Sequence, residues 1–162
     1  MTDAAGMASS GLPLPDEVPS DPPAPNALDD EGRRHGLWQV RFANGDVSEE
    51  GEYVHGVQQG RWRTWYRNGR LKSIGERVDG TLDGYWRWWR EHGGPLQEGS
   101  FVRNAQVGPW RRWFDTGTLI DEGEYADGKK VGLWRSYHPD GSLKQEKRHR
   151  GAADATGERT PS

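Results

Sequence analysis

"GRWRTWYRNGRLKSIGERVDG", residues 60–80, carries the plan of the whole chain. Trp62, Trp65 and Tyr66 lie in a run of strand-favouring residues, "RNG" is turn chemistry, and "RLKSIGER" returns as a second run, so the segment reads as a β-hairpin. The frame then recurs. Trp38, Trp62, Trp86, Trp110 and Trp134 are 24 residues apart every time. With Trp as position 0, glycine stands at −2 (Gly36, Gly60, Gly84, Gly108, Gly132) and at +7 (Gly45, Gly69, Gly93, Gly117, Gly141). It also stands at +13 (Gly51, Gly75, Gly99, Gly123), where the last copy has Lys147. Position +15 is aromatic in Tyr53, Phe101 and Tyr125, with Arg77 and His149 as exceptions. Such constant phase marks an internal repeat.

The fold class that follows is all-β: an elongated, single-layer antiparallel meander of five 24-residue hairpin repeats. Ten strands at ~4.8 Å each would span roughly 45–50 Å, with each repeat touching mainly its neighbours. The turn inside each copy has two readings. "NG" suits a two-residue type I′ loop, and "PDG" suits a type I turn with Gly in the left-handed region, forming a bulge. Pro139 favours the bulge, because a flanking proline could not donate a ladder hydrogen bond. The last strand, "LKQEKRH", loses the glycine and the aromatic and gains charge, which is how an edge strand is blunted.

Composition bounds the rest. Of the 25 acids, seven fall in residues 1–32, which hold no Lys or Arg; 18 acids then face 22 bases, a mild balance of +4 and short of a nucleic-acid binder's footprint. Residues 1–33 are rich in Pro, Ala, Ser and acids, and 151–162 read similarly. Both are expected to be disordered tails around a repeat domain at 34–150. With no cysteine there is no disulfide framework or thiolate metal site. No membrane-spanning run or secretory signal is recognised, so a cytoplasmic location is expected. The histidines are scattered, with no HxH or HxxxH pair. No nucleophile elbow or phosphate-binding loop occurs, so no catalytic residue, metal ligand or cofactor is assigned.

Side chains alternate along a strand. Position 0 and position +4 (Phe42, Tyr66, Phe114, with Arg90 and His138) are expected on one face. Position +3 (Trp65, Trp89, Trp113, Tyr137; Arg41 in the first copy) then lies on the other. Trp88 is an addition to the face of Trp86. The invariant position-0 tryptophans read as structural. The +3 stripe, with Arg63, Arg87 and Arg111, reads as a partner-binding surface, since aromatic and arginine side chains dominate interface hot spots. Acids gather on the return strands, which predicts cross-strand pairing with the basic first strands.

The frame G-x-W-x-x-(W/Y)-(Y/F)-x-(N/D)-G-x-L-x-x-x-G-x-Y-x-x-G, clearest in residues 60–80 and in "GPWRRWFDTGTLIDEGEYADG" (108–128), resembles the MORN-type repeat over about 35–150. It is closest to the bacterial variant found in YwqK-type antitoxin-like proteins. The resemblance implies a twisted, single-layer β-meander used for binding; with no catalytic motif in the sequence, a non-enzymatic and monomeric protein is expected. Another protein, in the antitoxin case a cognate toxin, would be its partner. The alternatives are attachment to an anionic membrane surface and, behind it, binding of single-stranded nucleic acid through the interleaved Arg and Trp.

Overall fold

A computed structural model of the protein describes residues 24–151. Ten strands follow one another in space as they do in the chain: β1 (Gly36–Arg41), β2 (Val47–Val54), β3 (Val57–Trp65), β4 (Leu71–Val78), β5 (Thr81–Trp89), β6 (Pro95–Val102), β7 (Ala105–Trp113), β8 (Leu119–Ala126), β9 (Lys129–Tyr137) and β10 (Leu143–His149). All neighbours are antiparallel in one open sheet. The described residues contain no helix.

Two kinds of hairpin alternate. Inside each copy the loop has three residues. The Tyr66 amide donates to the Arg70 carbonyl at 2.9 Å and the Gly69 amide to the Tyr66 carbonyl at 3.0 Å. Gly69 has φ +82°, the left-handed conformation that an L side chain resists. The same bonds close Phe42/Asp46, Arg90/Gly94, Phe114/Thr118 and His138/Ser142, so the bulged reading is the observed one. Pro139 then sits at the second turn position, which its fixed φ suits. Between copies the loop has two residues. Asp79 (φ 50°) and Gly80 (φ 80°) join Val78 to its partner Thr81, the signature of a type I′ turn.

The position-0 tryptophans form the core. Trp62, Trp86, Trp110 and Trp134 are at most 6% exposed. Each indole lies on the +13 glycine of the preceding copy. A Cβ on Gly51 would lie 2.2 Å from Trp62, on Gly75 2.0 Å from Trp86, on Gly99 2.2 Å from Trp110, and on Gly123 2.3 Å from Trp134. No side chain fits there, so these glycines are sockets. Lys147 lacks a glycine's bareness because no sixth tryptophan arrives to need it. Beside each socket the ladder is broken: Glu50 pairs with Arg63 but Glu52 with Gln59, leaving extra residues at Gly60 and Arg61 on β3. In three of the four copies the indole N–H uses a carbonyl beside this bulge, whereas that of Trp62 is buried without a partner among the described residues. Trp86 donates to Glu76 at 3.0 Å, Trp110 to Ser100 at 3.2 Å and Trp134 to Glu124 at 3.0 Å.

Residues 24–33, assigned from composition to the disordered tail, are instead a folded hook along β1. The Asn26 amide donates to the Leu37 carbonyl (2.8 Å), the Gln39 amide to Asn26 Oδ1 (2.6 Å) and the His35 amide to the Ala27 carbonyl (3.1 Å). Hydrophobicity missed it because the hook is held by polar bonds. The tail expectations for 1–23 and 152–162 lie outside the described residues.

Candidate functional site

The two faces of the sheet are built differently. On the tryptophan face, positions 0 and +15 alternate as an edge-to-face ladder. Tyr53 meets Trp62 at 5.3 Å, Phe101 meets Trp110 at 5.1 Å, and Tyr125 meets Trp134 at 5.1 Å. Arg77, an exception to the aromatic pattern, occupies the same rung, its guanidinium carbon 5.7 Å from the rings of both Trp62 and Trp86. A cation between two indole faces replaces the missing ring. Trp88 stacks at 5.6 Å on Trp86 and at 6.3 Å on Trp110. A polar row runs alongside: Thr64 Oγ1 lies 2.6 Å from Ser73 Oγ, and Arg112 Nε donates to buried Asp121 Oδ1 at 2.9 Å.

The opposite face carries a row one residue along from the tryptophans. Cross-strand partners link Gln39, Glu50, Arg63, Ile74, Arg87, Glu98, Arg111, Glu122, Arg135 and Glu146 in order. Charge alternates along most of it. Arg87–Glu98 (3.3 Å), Arg111–Glu122 (3.4 Å) and Arg135–Glu146 (2.9 Å) are ion pairs. Side-chain exposures of 19–55% keep each pair near water, so each is worth ~0.2–1 kcal/mol. The row sets the chemistry of the face more than it holds the fold. Tyr85, half-exposed on this face, has its hydroxyl pushed up to about 12 by partial desolvation and by the neighbouring Glu98 carboxylate.

The +3 stripe lies on this second face. The Arg87 guanidinium stands 5.0 Å over the Trp89 ring, and the Tyr137 hydroxyl donates to Glu122 at 2.9 Å, raising the tyrosine pKa. Trp65, Trp89, Trp113 and Tyr137 are half-buried, and each pairs with the apolar +9 residue of its own copy: Leu71, Pro95, Leu119 and Leu143. Arg63 is half-buried; Arg87 and Arg111 are exposed. The fold therefore brings all seven sequence-assigned residues to one face, as two adjacent rows. The +4 side chains act as ties between copies: the Tyr66 hydroxyl donates to the Trp89 carbonyl, and Arg90 does the same to the Trp113 carbonyl, both at 2.8 Å.

One constellation escaped sequence reading. His35 and His55, taken as scattered, stack at 4.6 Å between ring centroids, and His55 Nδ1 lies 2.8 Å from Asp29 Oδ2. Ligating atoms of the three lie within 4.8 Å of one another. The carboxylate is already filled: Oδ1 accepts the Glu31 and Arg33 amides, and Oδ2 accepts Arg33 Nε at 2.8 Å. The Arg33 guanidinium also reaches His55 Nδ1 at 3.2 Å, placing a fixed positive charge where a cation would bind. The cluster works as a latch joining the hook to the first between-copy turn. Only its 20–26-residue separations, with no repeat phase, could have signalled it.

One sheet, one repeat and two unlike faces define a β-hairpin repeat architecture. Residues 34–55, 58–79 and 130–149 match the family described as MORN repeat variant. These three copies are MORN-type repeats, a kind of repeat associated with binding to membranes or proteins. The remaining two copies lie between the matched segments, on the same strands and turns. No curated protein matches the chain. No helix among the described residues is long and apolar enough to cross a membrane.

Proposed function

We propose that the protein is a non-enzymatic, cytoplasmic binding module that captures another protein on the face bearing the +3 stripe. The observation that carries this reading is the placement of four aromatic side chains, Trp65, Trp89, Trp113 and Tyr137, in register and half-exposed, on the face that the tryptophan core does not need. Arg87 and Arg111 beside them are exposed, and an aromatic–arginine array is the composition of an interface hot spot. Neutralising a toxin by covering it is the form of this activity that the bacterial resemblance suggests.

The test uses Trp89→Ala and Trp113→Ala in the full chain, with partners captured from the source cell and identified, then measured by titration. Each variant should stay within ~1 kcal/mol of the parent in urea unfolding and lose at least ~2 kcal/mol of partner affinity. Unfolding of both variants, with binding unchanged in the folded fraction, would make the stripe a second core and defeat the proposal.

A further inference from the structure

The charge row on the binding face has one break. Glu50, Glu98, Glu122 and Glu146 occupy the acidic rungs, and the remaining rung, between Arg63 and Arg87, is Ile74. Ile74 is the cross-strand partner of both arginines. Arg87 is shared with Glu98 at 3.3 Å on its other side. Arg63 has no ion pair or side-chain hydrogen bond among the described residues. Two guanidinium groups therefore flank an apolar residue where the alternation calls for a carboxylate. The surrounding copy shares the imbalance: residues 58–79 hold six bases against Glu76 and Asp79, while the equivalent 106–127 hold two bases against five acids.

We infer that this gap is an acceptor site for a carboxylate of an acidic segment in a protein partner. Neighbouring strands are ~4.8 Å apart, so one Asp or Glu reaching the sheet at Ile74 lies within the span of both arginines, whose forks match a carboxylate. Trp65 and Trp89, two residues along from Arg63 and Arg87, receive apolar side chains beside that carboxylate. Ile74 itself keeps the gap free of competing hydrogen-bond groups. A cationic partner is repelled. The inference rests on the reading that the +3 face binds protein, and adds the partner's chemistry.

A labelled peptide repeating Glu-Leu-Glu-Gly tests it, against the same peptide with Lys for Glu and against vesicles of an anionic phospholipid. The full chain should bind the Glu peptide at least tenfold more tightly than the Lys peptide, with affinity falling as salt rises. Ile74→Glu should fill the gap from within and lower that affinity at least tenfold while leaving the melting transition in place; Arg63→Gln should lower it without adding a carboxylate. Equal binding of the two peptides, or Glu-peptide affinity untouched by both substitutions, overturns the acceptor site. Binding of vesicles alone, lost in Ile74→Glu, overturns it in favour of a membrane headgroup. Loss of peptide binding in Trp89→Ala, with both gap variants unaffected, would end this inference and leave the broader binding reading standing.

Discussion

At the scale of the residue, the decisive chemistry is a missing methyl group. A glycine at +13 leaves bare backbone on which the next copy's indole rests, and any side chain there would occupy the ring's own volume. Gly99→Ala should therefore behave like loss of Trp110 itself, about 3–5 kcal/mol, because its Cβ would lie 2.2 Å from the ring and the whole indole must leave. Gly117→Ala, which meets open space and suffers only from its φ of +88°, should cost about 1–2 kcal/mol. Urea unfolding of the two variants compares them directly; equal costs would mean that backbone conformation, and not the socket, explains the conserved spacing inside this chain. The socket could be sensed in the sequence only as an unexplained glycine. Periodicity located Gly51, Gly75, Gly99 and Gly123, but which tryptophan each one receives depends on strand pairing.

At the scale of the element, the hairpins were legible and the hook was not. Strand propensity, turn residues and phase are local properties, and five copies of them repeat the message; the face assignment of Trp65, Trp89, Trp113 and Tyr137 came from simple alternation. Asp29, Arg33, His35 and His55 give no such pattern, because polar bonds between unlike segments leave no period to read. The hook's latch has its own pH signature. The hydrogen bond from His55, together with the Arg33 contacts, holds the Asp29 carboxylate well below its ordinary range. A carboxylate depressed in the folded state contributes stability that is present above its unfolded pKa, ~3.9, and is lost as pH falls towards the folded value. The melting temperature of Asp29→Asn should lie below the parent's at pH 6, with the gap closing below pH ~4. A gap that stays constant down to pH 2 would show that the carboxylate's charge does not matter to the latch.

At the scale of the molecule, an open sheet has two edges, and this chain treats them differently. The β1 edge is paired by the hook, while β10 meets solvent with Lys144, Lys147 and Arg148 exposed along it. Charge on an open edge opposes pairing with another chain. Removing residues 1–23 should leave the melting transition and the elution volume unchanged, whereas removing 1–33 should lower the first and, by baring β1, shift the second towards dimers. Identical behaviour of the two truncations in calorimetry and gel filtration would mean that the hook protects nothing. The joints between copies carry a different consequence. Excising residues 81–104 would link Gly80 to Ala105 and set the glycine at 75 against the indole at 110, a junction of the kind already present on either side. Slippage of a whole number of 24-codon units during copying of the gene therefore lengthens or shortens this sheet without creating a new kind of joint. Its span is a quantity that heredity can count up or down one hairpin at a time.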